Sequence, residues 1–187
     1  LFGGANQCVT AAMADGGLSH FDRGDILLLQ NEISGLEAIM RAAHARGLRI
    51  ALNPSPAAAN LNALPLDTVE WFILNEVEGA QITGETEPDA IADALLRRWP
   101  GCRVVLTLGK RGVLYYDESQ RCRHGVYRVP VVDTTGAGDT FTGYFLAGAA
   151  AGRPIPQVLR DASIASSLAV SRAGAAQSIP TAKEVAH

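Results

Sequence analysis

The nine residues Asp133-Thr134-Thr135-Gly136-Ala137-Gly138-Asp139-Thr140-Phe141 constrain this chain more than any other stretch. A turn of three small residues, two of them glycine, is followed directly by a carboxylate. The apolar, small-residue run from Phe141 to Ala151 predicts a helix that begins at about Gly138. Glycines at a helix start let backbone N–H groups converge on an anion, and the helix dipole adds positive potential there. A carboxylate beside such a pocket can take a proton from a hydroxyl that attacks a phosphoryl group. The helix end weakens that carboxylate as a base. A loose transition state tolerates this, because the proton leaves late and orienting the hydroxyl matters more than basicity. The residues alone therefore point toward phosphoryl transfer.

The rest of the chain alternates short apolar runs with helical patterns. Ile26 to Gln30, Arg49 to Leu52, Trp71 to Leu74 and Arg103 to Leu108 read as strands. Gly35 to Arg46 carries Leu36, Ile39, Met40 and Ala43 at helical spacing, with Gly47 placed as a C-cap. A helix starts near Glu76, and Thr86-Glu87-Pro88-Asp89 opens another that runs to about Arg98. Gly109 to Gly112 turns into Val113–Tyr116 as a hairpin, and Val126 to Val132 reads as extended. Two helices, the one from Gly138 and Ile155 to about Arg172, close the chain. This order predicts an α/β layer with a mostly parallel sheet, organised as a single domain over residues 1–187. Ligands in such sheets sit beyond the carboxyl ends of the strands. Both glycine-rich turns and the Asn75 segment follow strands. The alanine stretches at Ala57–Ala59 and Ala147–Ala151 are too short to count as low complexity.

Composition narrows the function classes. Apolar residues make up 48% and charged residues 19%, which fits a folded globular chain rather than disorder. A net charge of −3 argues against nucleic-acid binding, which needs a basic excess. Cys8, Cys102 and Cys122 form no C-x-x-C pair, so neither a disulfide framework nor a zinc site is expected, and a reducing cytoplasm fits. No apolar run approaches a membrane span. His20, His44, His124 and His187 have no metal spacing and read as surface residues, and Cys8 lacks a histidine nearby in sequence that would make it a nucleophile. The chain opens Leu1-Phe2-Gly3-Gly4, which reads as a start inside a larger fold.

Two further motifs carry alternatives. Asn75-Glu76-Val77-Glu78 fits a capping box, with Asn75 as N-cap and Glu78 as the reciprocating acid. The same residues suit a phosphate contact from Asn75 and a magnesium-bound water on Glu78. Thr107-Leu108-Gly109-Lys110-Arg111-Gly112 is either a plain turn or a loop whose backbone approaches a nucleotide. Other phosphate motifs fail. Gly109-Lys110 is followed by Arg111, so there is no P-loop, and Gly136-x-Gly138 meets Phe141 where the dinucleotide fingerprint needs glycine.

In order along the chain, Gly4-Ala5-Asn6 with Val9-Thr10, Leu29-Gln30-Asn31-Glu32, Ala51-Leu52-Asn53-Pro54-Ser55-Pro56, Asn75 to Glu78, Thr107 to Gly112, Asp133 to Phe141, and Gly174 to Pro180 resemble the ribokinase-like, or PfkB, family of sugar kinases. The resemblance covers essentially the whole chain. It implies a ribokinase-like, Rossmann-type layered fold with helices on both faces of the sheet, of which this chain is the C-terminal portion. It implies ATP and Mg2+ as cofactors, K+ as a monovalent cation, and a sugar as acceptor. Asp139 would be the base, while Gly136, Ala137 and Gly138 would supply anion-hole amides. Asn75, Thr107, Gly109, Gly112, Gly138 and Ser163 would bind the nucleotide, with Ser163 standing where relatives often carry asparagine or histidine. Glu32 and Asp139 would face the sugar. Glu78 would hold magnesium through water, and Asp133, Thr135, Ala169, Arg172, Gly174 and Ser178 would surround the monovalent cation.

The family's first strands, β lid and sugar-binding G-G-x-x-x-N motif have no counterpart here, since Gly3-Gly4 leads to Cys8 where the asparagine would stand. A catalytically silent nucleotide-binding module of the same fold is therefore the alternative to an active kinase. Bare strand edges would also favour self-association.

Overall fold

Four runs rich in β-branched and apolar residues become parallel strands, because each is too short for a stable helix. They are β1 (Ile26–Gln30), β2 (Arg49–Asn53), β3 (Val69–Asn75) and β4 (Arg103–Thr107). Strands β2, β3 and β4 are largely buried, while β1 lies at the sheet edge with Leu28 exposed. A computed structural model describes residues 3–57 and 61–186. The sequence expectations for Leu1-Phe2, for Ala58-Ala59 and for His187 fall outside the described residues. With β5 (Val113–Tyr116) and β6 (Arg121–His124) the strands form a six-stranded sheet in the order β1-β2-β3-β4-β5-β6. The chain divides into two compact units. One gathers residues up to 107 with 116–120, and the other 108–115 with the residues from 121 onward.

In the first unit, Leu28 pairs with Ala51, Ala51 with Trp71, and Ile73 with Val105. Helix α1 (Ala11–Leu18) precedes β1, α2 (Leu36–Ala45) joins β1 to β2, and α3 (Glu76–Thr83) and α4 (Pro88–Arg98) lie between β3 and β4. Helix α2 turns Leu36, Ile39, Met40 and Ala43 inward, as their spacing requires. The core centres on Ile50, Leu52, Phe72, Ile73, Leu95 and Leu106, all essentially without solvent contact. Phe72 stacks on Trp99 with ring centroids 5.2 Å apart. At the N-terminal ends of the strands, Glu70 bridges Arg49 and Arg103, whose guanidiniums lie 4.3 and 5.1 Å from the Trp71 ring centre. Burial alone would raise the Glu70 carboxyl, but the two arginines outweigh it and hold it below the usual range. This anchor stands at the opposite end of the strands from Asn53, Asn75 and Thr107.

In the second unit, α5 (Ala137–Ala150) packs against α6 (Ile155–Val170), and α7 (Ala182–Ala186) follows. Gly148 permits the close approach of the two long helices, since a Cβ there would lie 2.9 Å from Val158. Phe145 joins Phe141 and Tyr115 in an aromatic cluster with centroids 6.3 and 6.1 Å apart.

Four elements differ from the sequence expectation, the first being α7, where no helix is expected. Helix α1 forms although Gly16 and Gly17 lie in it, with the Thr10 side chain accepting from the Met13 N–H as its cap. Strand β6 consists of Arg-Cys-Arg-His, whose alternation of exposed and half-buried residues carries no apolar signal. The Val126 to Val132 segment is irregular, with Val126, Val131 and Val132 exposed. No helix among the described residues is long and apolar enough to cross a membrane.

Candidate functional site

Two groups of residues bear on chemistry, one in each unit. In the first unit they gather where β1, β2 and β3 end. Asn75 closes β3 and caps α3: its Oδ1 accepts the Glu78 N–H at 3.0 Å, and Glu78 Oε2 accepts the Asn75 N–H at 3.0 Å. The capping box expected from the sequence is therefore formed. Asn75 is exposed, and its Nδ2 has no acceptor among the described residues, so capping leaves a donor for an anion.

Glu78 is only 2% exposed, and its second oxygen accepts the hydroxyl of Ser55. Each of its oxygens thus holds one protein donor and keeps one acceptor site. That arrangement suits a carboxylate that accepts from metal-bound water better than one bound directly to the metal. It agrees with magnesium's habit of keeping its waters. Among the described residues no group of three or more His, Cys, Asp or Glu side chains could hold a metal. Any divalent ion here would rest chiefly on phosphate and water oxygens.

Glu32 follows β1, is exposed, and lines a cavity of about 420 Å³ with Gln7, Asn31, Ser34, Glu37 and Leu64. Its carbonyl accepts from Gln7 Nε2 at 3.1 Å. Thr107 ends β4 and donates its hydroxyl to the Leu74 carbonyl at 3.3 Å.

In the second unit the Asp133 to Phe141 run builds a turn and the first turn of α5. Gly136 is the N-cap in the left-handed region, at φ 73°. No side chain caps this helix start, and Asp139 is the acid of its first turn, exposed. The Ala137 N–H reaches the Thr134 carbonyl at 3.3 Å, a long bond that engages one of the three expected amides. The N–H groups of Gly136 and Gly138 have no acceptor among the described residues. A Cβ on Gly138 would meet nothing within 4 Å, and its backbone is helical, so the fold does not ask for glycine there.

Gly112 is the contrasting case. It sits at φ 92°, and a Cβ would lie 2.0 Å from the His124 carbonyl oxygen. Its lack of a side chain is a packing requirement. Gly109, at φ 54°, faces open space.

The expected cation ligands lie on two loops that are joined in the structure. Val132 and Asp133 donate to the Val170 carbonyl at 2.8 and 3.2 Å, and the Asp133 carboxylate accepts from the N–H groups of Thr135 at 2.9 Å and Gly174 at 3.1 Å. Those backbone donors hold the Asp133 carboxyl below its usual range. The carbonyls of Thr135, Arg172 and Gly174 accept no hydrogen bond among the described residues, whereas that of Ala169 accepts from Arg172 and from Ser171, the C-cap of α6. Ser178 is fully buried and donates its hydroxyl to Ala175. Carbonyls without donors on joined loops are the kind of oxygen that a monovalent cation takes. The Arg172 side chain is directed elsewhere, to Glu184 at 2.7 Å.

Ser163 lies on α6 at 8% exposure. His20 and His44 are exposed as expected. His124 is half-buried against Tyr127, and burial, aided by Arg160, lowers its pKa. Sequence reasoning gave no role to two hydroxyls that buttress these groups: Ser55 on Glu78, and Ser166, which donates to the Ala137 carbonyl at 3.1 Å. Ser55 lay inside a noted motif, but nothing in the sequence revealed its partner.

Known proteins share this sequence pattern and fold. The model of the pfkB family of carbohydrate kinases matches residues 2–182. The chain belongs to that family. It is similar to the ribokinase of Bacillus subtilis, with 34% identity over 184 residues, covering 97% of this chain and 61% of the relative. Among solved structures it resembles Arabidopsis thaliana ribokinase complexed with ribose and ATP, at a TM-score of 0.84 and 30% identity, covering 99% of this chain and 62% of the other. The Thermotoga maritima ribokinase structure gives a TM-score of 0.83 at 28% identity, covering 99% of this chain and 62% of that one. The chain therefore spans about three fifths of the length of these relatives.

Proposed function

We propose that this chain is the nucleotide-binding and phosphoryl-transfer portion of a sugar kinase that moves the γ-phosphoryl group of ATP to a sugar hydroxyl. The observation that carries the reading is the start of α5. There an uncapped helix end, two amides without acceptors among the described residues and an exposed carboxylate occupy four consecutive residues, Gly136 to Asp139. Gly136 and Gly138 would donate to the oxygens of the migrating phosphoryl group, where negative charge is spread. Asp139 would orient the sugar hydroxyl and accept its proton. In the other unit, Asn75 Nδ2 would donate to a nucleotide phosphate, and Glu32 would accept from the sugar.

Magnesium, when bound, neutralises charge on the β- and γ-phosphate oxygens. Glu78 would accept hydrogen bonds from its waters. A potassium ion on the 133–135 and 169–178 loops would stiffen the turn that leads into α5. Thr107, Gly109 and Ser163 are assigned to the nucleotide by the family resemblance, and Gly112 shapes the turn beside Gly109. Self-association along the β1 edge, where Leu28 stands exposed, belongs to the same proposal, and a monodisperse monomer in light scattering would remove it.

The test is Asp139→Asn in an assay of ATP consumption against a panel of sugars. Loss of general-base help costs roughly 10²–10⁴-fold in turnover, with ADP affinity unchanged by calorimetry. Turnover that survives the substitution contradicts the role of Asp139. Nucleotide binding without any sugar-dependent turnover in the unsubstituted chain would point instead to a catalytically silent module.

A further inference from the structure

Ser55 occupies the loop after β2, and its backbone is fixed before its side chain makes any contact. The Asn31 N–H donates to the Ser55 carbonyl at 2.9 Å, Asn31 Nδ2 donates to the Pro56 carbonyl at 3.0 Å, and the Ser55 N–H donates to Asn53 Oδ1 at 3.3 Å. The clamped residue then directs its hydroxyl to Glu78 Oε1.

Glu78 needs such a partner. The last torsion of a glutamate is broad and weakly restrained. The single bond from the Asn75 N–H to Oε2, at 3.0 Å, leaves that torsion loosely defined. A second donor on the other oxygen defines the plane of the carboxylate and the direction of its remaining acceptor sites.

We propose that Ser55 is a positioning residue, whose hydroxyl orients the Glu78 carboxylate toward the waters of a nucleotide-bound magnesium ion. The inference rests on the assignment of Glu78 made above. It also ties the end of β1, next to Glu32, to the carboxylate at the start of α3 through one serine. A purely structural hydroxyl would satisfy a buried carboxylate and alter stability alone. A positioning hydroxyl also alters how much magnesium strengthens nucleotide binding, because partners that orient a metal-site carboxylate govern metal affinity.

The experiment is calorimetric titration with ADP, with and without MgCl2, on the unsubstituted chain and on Ser55→Ala, Ser55→Thr and Glu78→Gln, with thermal unfolding of each. Ser55→Ala should reduce the magnesium-dependent gain in ADP affinity on the order of tenfold and leave the magnesium-free affinity unchanged. Ser55→Thr, which keeps the hydroxyl, should restore the gain. A Ser55→Ala chain that keeps the full gain overturns the inference, whether or not it melts lower. Equal losses with and without magnesium overturn it too. If Glu78→Gln loses the gain and Ser55→Ala does not, only the role of Ser55 is refuted. If Glu78→Gln keeps the gain, or the unsubstituted chain shows none, the assignment of Glu78 falls and the inference with it.

Discussion

The turn before β5 and the turn before α5 are both glycine-rich, and the sequence allows both to bring backbone close to a nucleotide or its phosphates, the second more strongly. The structure separates them. At Gly112 the backbone is left-handed, and a Cβ would collide with the His124 carbonyl, so packing dictates glycine. At Gly138 the backbone is helical and the space around it open, so packing dictates nothing. An uncapped helix start is not diagnostic by itself, since Gly35 opens α2 in the same way. Open space is not diagnostic either, since a Cβ on Gly16, Gly17 or Gly143 would also meet nothing; what distinguishes α5 is the pair Gly136 and Gly138 at an uncapped helix start, directly before an acid. At such a start, a glycine that costs helix stability without relieving a contact leaves its amide open to a group from outside the chain.

Substitution at Gly112 gives the largest expected effect. Gly112→Ala adds left-handed strain to a steric clash, and we expect about 3 kcal/mol of destabilisation in chemical denaturation. Gly109→Ala, with no clash, should lose about 1 kcal/mol or less. Equal losses at the two positions would erase the distinction between a glycine the packing demands and one it does not.

A smaller effect concerns acid. The Asp133 carboxyl is held below its usual value by the N–H groups of Thr135 and Gly174. Its folded pKa is depressed, so its contribution is complete above the usual carboxylate range and is lost as pH falls from about 4 toward the folded value. Hydrogen exchange at the Thr135 and Gly174 amides should quicken, relative to the intrinsic rate, as pH drops through that window. Asp133→Asn should flatten the response. A flat response in the unsubstituted chain would show that the carboxylate does not hold the two loops together.

How much of this was legible beforehand follows from how locally each feature is encoded. Strands β1 to β4 and helices α2 to α6 announced themselves through apolar periodicity, caps and Pro88, all local signals. Helix α1 did not, because Gly16 and Gly17 lower its propensity and only one of its residues, Leu18, is buried. Strand β6 was hidden for the opposite reason: Arg121 and Arg123 face solvent, so no apolar alternation marks it. The capping box at Asn75 and Glu78 could be read from a four-residue spacing. The Ser55 bond to Glu78 could not, since it joins residues 23 apart and depends on the β2–β3 register. The engagement of Ala137 by Thr134 depends on the path of the turn, which composition does not specify. The joining of the 133–135 and 169–178 loops likewise exists only once the chain has folded.

The central claim is that Gly138 is kept for an approaching phosphoryl group, and one substitution tests it most directly. Gly138→Ala should stabilise the chain by about 1 kcal/mol, because alanine is the better helix former and meets no neighbour. The same methyl group should slow sugar-dependent ATP turnover on the order of 10²-fold by obstructing the amide. A variant that melts higher and turns over at an unchanged rate would contradict the account.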